Sequence, residues 1–218
     1  MKKFTALVLF FLFVNTYTGI AQPAVDGSYL WNSTSIGYAF NDKTELIVGN
    51  KVHYNNRINH LDYFQFELIG YRKLSDNFSL GLGLRQTESY KSVRWNPGQT
   101  YMLYGVYFLN PKNVKIRVAN RLISRTYKFA DTQNGIDNNT NVDFFVLSTN
   151  KLPKPYVMEE VFFNLNLGKV HTIRLYGGLH ILKKQHLGID AFYCYWKMRP
   201  SHEWLNYNVL GLSTKIRI

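Results

Sequence analysis

The residues best suited to bind a metal or move a proton are six histidines: His53, His60, His171, His180, His186 and His202. A zinc site on a strand wants two ligands on one face, as in His-x-His, and one on a helix wants His-Glu-x-x-His. Neither spacing occurs, so no metal ligand is assigned and these histidines are read as loop and rim residues. Serine chemistry fares no better. Gly-x-Ser-x-Gly is absent, and Ser213 or Ser79 would have to meet His180 across strands, which only register decides. Cys194 is the single cysteine, so neither an internal disulfide nor a thiolate metal cluster can form. Flanked by Tyr193 and Tyr195, it reads as a small buried or inward-facing residue. Gly81-x-Gly83 lies within a strand pattern and makes room for bulky neighbours, so it is no phosphate loop. The expectation is a chain with no catalytic residue and no cofactor.

Charge is the more informative chemistry. Lys51, Glu67, Arg85, Lys115, Arg117, Arg121, Glu160, Arg174, Asp190, Lys215 and Arg217 all fall on the polar face of alternating segments, while the opposite face carries almost none. Two readings follow. Those from Glu67 onward form an ion-paired filling inside a narrow barrel, or they line a basic channel that favours anions. The formal net charge is +12, but alternation spreads it, whereas nucleic-acid binding needs it concentrated on one accessible face. No nucleic-acid partner is expected. A basic rim would instead suit anionic lipid phosphates.

The elements that carry these charges are strands. From Leu61 to Gln86, Phe64, Phe66 and Leu68 alternate with Gln65 and Glu67. After the Ser75-Asp76-Asn77 turn, Phe78, Leu80, Leu82 and Leu84 alternate with Ser79, Gly81, Gly83 and Arg85. This is an antiparallel hairpin, and the same unit repeats. Eleven segments qualify, at 29–40, 44–54, 61–73, 78–90, 100–109, 114–127, 141–149, 155–165, 171–182, 187–198 and 207–218. Their connections alternate short with long, the long ones falling at 55–60, 91–99, 128–140 and 199–206. Membrane barrels segregate loop length by end in this way. They also favour an even strand number, so ten or twelve strands are expected, with residues 22–28 supplying an extra strand or threading the lumen. Glu159 breaks the pattern: with Val157, Val161 and Phe163 facing lipid it faces lipid too, unless it sits near the interface or a bulge swaps its facing.

Lys2-Lys3, the apolar run Ala6–Val14 and Gly19-Ile20-Ala21 have the order of a cleaved signal peptide, so residues 1–21 are read as a leader and 22–218 as one domain. The apolar run is far shorter than the ~20 residues a membrane helix needs. Aromatic content is 16%, with sixteen Tyr and fifteen Phe, and aromatic belts mark membrane barrels.

Tyr71-Arg-Lys-Leu-Ser-Asp-Asn-Phe-Ser-Leu-Gly-Leu-Gly-Leu84, Lys154-Pro-Tyr-Val157 with Glu160-Val-Phe-Phe-Asn164, and Asn208-Val-Leu-Gly-Leu212 together carry a likeness. From about Trp31 to the C-terminus, the chain resembles the family catalogued as domain of unknown function 2490. That resemblance implies an exported Bacteroidota protein forming an outer-membrane β-barrel, and it implies no activity. The C-terminal Ile218 departs from the terminal aromatic that the barrel assembly machinery commonly recognises. The expected protein is all-β, an antiparallel up-and-down transmembrane barrel of ten to twelve strands in the outer membrane. Its expected partners are outer-membrane lipid and the assembly machinery, and it is either structural or a narrow pore. The alternatives are a barrel enzyme acting on lipid or peptide, and a soluble periplasmic barrel binding an apolar ligand.

Overall fold

The computed structural model describes residues 27–56, 59–91, 94–111, 113–144, 153–200 and 202–218. The proposed leader, residues 1–21, lies outside the described residues. The strands are β1 (Gly27–Asn41), β2 (Thr44–Asn55), β3 (His60–Lys73), β4 (Phe78–Lys91), β5 (Arg94–Leu109), β6 (Val114–Tyr127), β7 (Ala130–Phe144), β8 (Lys154–Asn164), β9 (Lys169–Lys183), β10 (Leu187–Met198) and β11 (Leu205–Arg217). They close into one barrel in which each strand pairs with its sequence neighbours and β1 pairs with β11.

The strand count is odd, and the closure shows how that works. In an up-and-down sheet with an odd number of strands the first and last run the same way, so they can meet only in parallel. β1 and β11 do so, with Trp31 opposite Gly211 and Ser33 opposite Ser213. The parity expected for a membrane barrel therefore gives way to a parallel seam. Gly27 and Ser28 belong to β1 itself and form no extra strand.

The expected loop asymmetry also gives way. β5 begins at Arg94 and takes Pro97 into the sheet opposite Glu88. β7 begins at Ala130, so most of the segment read as a long loop at 128–140 is strand. The connections at one rim, called here the entry rim, are 56–59, 92–93, 128–129, 165–168 and 199–204. At the far rim they include 42–43, 74–77 and 184–186, while the link from β7 to β8 runs mostly through 145–152, outside the described residues. Loop length does not distinguish the two ends.

Period-two alternation survives around the barrel. Outward positions are apolar and exposed: Leu82 is 68% accessible and Leu210 59%. Inward positions mix buried rings and aliphatics with polar groups, and Asp137, Asp190 and Thr100 are each under 5% accessible. Two apolar clusters occupy the interior. One gathers Ile69, Met102, Tyr104, Val106, Ala119, Ile123 and Phe162; the other gathers Trp31, Tyr176, Cys194, Trp196 and Val209. Glycines make room for the rings. A Cβ on Gly81 would lie 2.6 Å from the ring of Tyr71, its direct cross-strand partner, and Gly211 sits in the same way beneath Phe192. Cys194 is fully buried, as its small size and flanking tyrosines suggested.

Glu159 stays outward. β8 is regular from Val157 to Val161, its irregularity falling at Phe162/Phe163, and Glu159 stands opposite Thr140 and Leu175 in mid-strand.

Candidate functional site: a charged vestibule in the lumen

A cavity of about 590 Å³ opens among inward-facing side chains near the entry rim. Tyr29, His53, Tyr63, Ser89, Tyr127 and Met198, all near strand ends at that rim, form its upper wall. Deeper in, it is bounded by Glu67, Arg121, Glu160 and Arg174. Beyond them on the same inward faces lie Ile69, Met102, Tyr104 and Val106, packed together and buried. The charged layer is therefore a floor, backed by an apolar plug.

The floor is built of paired charges. One Nη of Arg121 bonds Asp137 and Glu160 together, tying β6, β7 and β8. Arg174 Nη1 donates to the other Glu160 oxygen at 2.7 Å, and the Tyr176 hydroxyl donates to that same oxygen at 3.2 Å. Across the lumen, Arg85 donates through Nε (3.1 Å) and Nη2 (2.9 Å) to Glu67 Oε2. A chain from Tyr63 through Gln65 reaches that oxygen too. Each buried carboxylate in this layer thus has a guanidinium, the arrangement that makes ion burial tolerable.

Two cations in the lining have rings as partners instead. The Lys51 ammonium sits 4.0 Å above the Trp31 ring. Trp31 stacks on His53 at 4.2 Å, and His53 on Tyr63 at 4.4 Å. The Arg125 guanidinium lies 4.8 Å from the Phe162 ring. Among the described residues, neither cation has a carboxylate within ion-pair distance.

A second cluster lies toward the far rim. His180 Nδ1 is 2.6 Å from Asp190 Oδ1, and its Nε2 is 3.4 Å from Asp143 Oδ1. Lys215 donates to the other Asp190 oxygen at 2.8 Å. Both nitrogens of His180 face carboxylates, so neither is left to activate a serine. Ser213 stands across the strand pair from Asp190, and Ser79 lines a separate recess at the far rim.

All eleven residues singled out for the polar face lie on inward positions, Lys51 in the cavity lining, but they do not form one site. Glu67 with Arg85 and Arg121 with Glu160 and Arg174 make the floor. Asp190 and Lys215 join the His180 cluster. Arg217 pairs with Glu45 at 3.2 Å. Arg117 donates to Asn139 at 3.3 Å, and Lys115 lies 5.6 Å from the Phe108 ring. Asp137 was missed because its segment read as loop. Arg125 was missed although it shares the parity of Lys115, Arg117 and Arg121 on β6. The ring partners Trp31, Tyr63 and Trp196 had no local signal.

Among the described residues, no group of three or more His, Cys, Asp or Glu is arranged to hold a metal ion. No curated protein matches the chain. A family model described as protein of unknown function (DUF2490) matches residues 29–206, which covers nearly the whole barrel, and the chain belongs to that family.

Proposed function

We propose that the protein resides in the outer membrane as a β-barrel whose lumen its own side chains largely fill, serving a structural role or as a narrow pore. The supporting observation is the inversion of polarity. Leu30, Phe66, Leu82, Leu103, Leu122, Leu175 and Leu212 are exposed around the outside, while Asp137, Glu160 and Asp190 are buried within. A barrel in water would put the apolar face inward, because exposed apolar patches beyond a few hundred Å² are rare on soluble proteins. Lipid reverses the preference, and closure leaves no unpaired edge for it to desolvate. Strands of 11 to 16 residues meet or exceed the 9–11 that a tilted span requires. Export by a cleaved leader, delivery by the barrel assembly machinery and contact with outer-membrane lipid belong to the same reading.

The ion-paired floor favours a closed lumen over an open channel. The charged lining does not suit a barrel that binds an apolar ligand, and the occupied nitrogens of His180 offer no support for a lipid- or peptide-cleaving one. Carbonate washing tests location: the protein should stay with the membranes and show heat-modifiable gel migration, and its release into the wash refutes the proposal. In planar bilayers the purified barrel should give no conductance steps or only very small ones. Large steady steps would contradict the filled lumen.

A further inference from the structure

The vestibule has a specific electrostatic shortfall. Five cations line it, Lys51, Arg85, Arg121, Arg125 and Arg174, against the carboxylates Asp62, Glu67, Asp137 and Glu160. Glu67, Asp137 and Glu160 are already taken by Arg85, Arg121 and Arg174. Asp62, near the entry rim, accepts from Asn55 at 2.9 Å and has no salt bridge among the described residues. Lys51 on β2 and Arg125 on β6 reach in from well-separated parts of the wall, each against a ring face and with no carboxylate within ion-pair distance among the described residues. A half-buried cation without a paired carboxylate is costly, and a ring face offsets only part of that.

The rest of the lining describes the missing partner. A space of about 590 Å³ is far larger than one inorganic ion needs and falls within the usual range for small-molecule pockets, about 300–1,000 Å³. Rings of Tyr63, Tyr127 and Trp196 border it, and Ser33, Ser35 and Thr87 offer hydroxyls. The His53 Nε2 and Asp62 Oδ1 atoms are buried and have no hydrogen-bond partner among the described residues.

We propose that the vestibule is a binding site for a small organic anion, a phosphate or carboxylate on a flat body, its charge balanced by Lys51 and Arg125 in the lining and its body held by the rings. This does not rest on where the barrel resides: a chain that stayed in water would refute the membrane reading and leave the vestibule intact.

The test uses the purified barrel and its tryptophan fluorescence, because Trp31 lies under the Lys51 ammonium and Trp196 lines the cavity. Phenyl phosphate should change the emission saturably, while benzyl alcohol, of similar size and uncharged, should not. Inorganic phosphate should bind more weakly than phenyl phosphate. Lys51→Gln and Arg125→Gln should each weaken binding by roughly tenfold, the scale of one lost charge-assisted hydrogen bond. Lys215→Gln, which acts in the His180 cluster, should leave it unchanged. Equal binding of benzyl alcohol and phenyl phosphate by the unaltered chain would overturn the proposal without any variant. So would no saturable change up to about 10 mM, or undiminished affinity in a folded Lys51→Gln, Arg125→Gln double variant.

Discussion

The wall formed by β3, β4 and β5 and the wall formed by β6, β7 and β8 follow one backbone plan with different side-chain chemistry. Outside the first wall stand Phe64, Phe66, Leu68, Leu80, Leu82, Leu84 and Leu103, a continuous apolar surface. Outside the second, Asn138 donates to Asn120 at 2.8 Å and accepts from Thr140 at 3.1 Å, with Glu159 opposite Thr140. Inside, the first wall carries one ion pair, Arg85 with Glu67, whereas the second is stapled across three strands by Arg121, Asp137 and Glu160. The lesson is that a strand with few apolar residues can hold its place in a barrel when its neighbours supply hydrogen bonds and charges on both faces. Strand propensity mainly reports side-chain fit to neighbours, and β7 has partners along both edges.

The largest effect should come from the staple. Arg121→Met leaves Asp137 and Glu160 facing each other with one guanidinium lost, and stability should fall by about 3–5 kcal/mol, the usual result of breaking a buried pair. Arg85→Met strands only Glu67, which is more accessible, and should cost less. Denaturant unfolding of both variants, followed by heat-modifiable migration, gives the order. The reverse order would mean that the second wall is held by something other than its charges.

Next comes the outer surface. Leu82→Arg should cost about 2–4 kcal/mol if that face meets lipid at mid-depth, seen as impaired assembly in vesicles. Thr140→Arg should cost less, because Glu159 is directly opposite to receive the guanidinium. Equal penalties would erase the distinction between the walls.

A packing test sharpens the interior of the first wall. Gly81→Val drives a side chain into the Tyr71 ring and should cost about 1–3 kcal/mol as overpacking. Combining it with Tyr71→Ala should recover part of the loss, and strict additivity in the cycle would deny the contact. Smaller still, Glu159→Gln removes an outward charge without a salt bridge among the described residues and should raise stability by about 1 kcal/mol or less. A drop in the same unfolding assay would reveal that this carboxylate has a partner. The smallest effect belongs to the turn joining β3 and β4. There the Lys73 ammonium, 2.9 Å away, holds the exposed Asp76 carboxyl below its ordinary range. An NMR titration should show the depressed midpoint, and Asp76→Asn should leave the unfolding curve where it was.

The two walls were unequally legible. Phe78 to Arg85 alternates large apolar with small or charged residues, so strand, facing and hairpin could all be read directly. Ala130 to Phe144 places Asn, Asp and Thr on both faces and includes Gly135, a composition that signals turns when local preference is all there is to judge by. The spacing therefore places the strand late, at 141–149, of which 145–149 lie outside the described residues, and makes its connection too long. Asp137, the carboxylate that completes the staple, disappeared with it. Lys51 was visible as an inward charge, but its lack of a carboxylate was not.

The amino-acid order by itself determined which way side chains point, because a pleated strand exposes alternate residues to opposite sides whatever it pairs with. It thereby separated an apolar face from a charged one, and closure of the barrel put the apolar face outside. The tertiary structure alone decided who meets whom. The parallel seam of β1 with β11 brings Trp31 beside Trp196, and the register of β6, β7 and β8 brings Arg121 between two acids. Those contacts join residues distant along the chain, and their positions are fixed by closure of the whole sheet, a constraint that no local stretch of sequence contains.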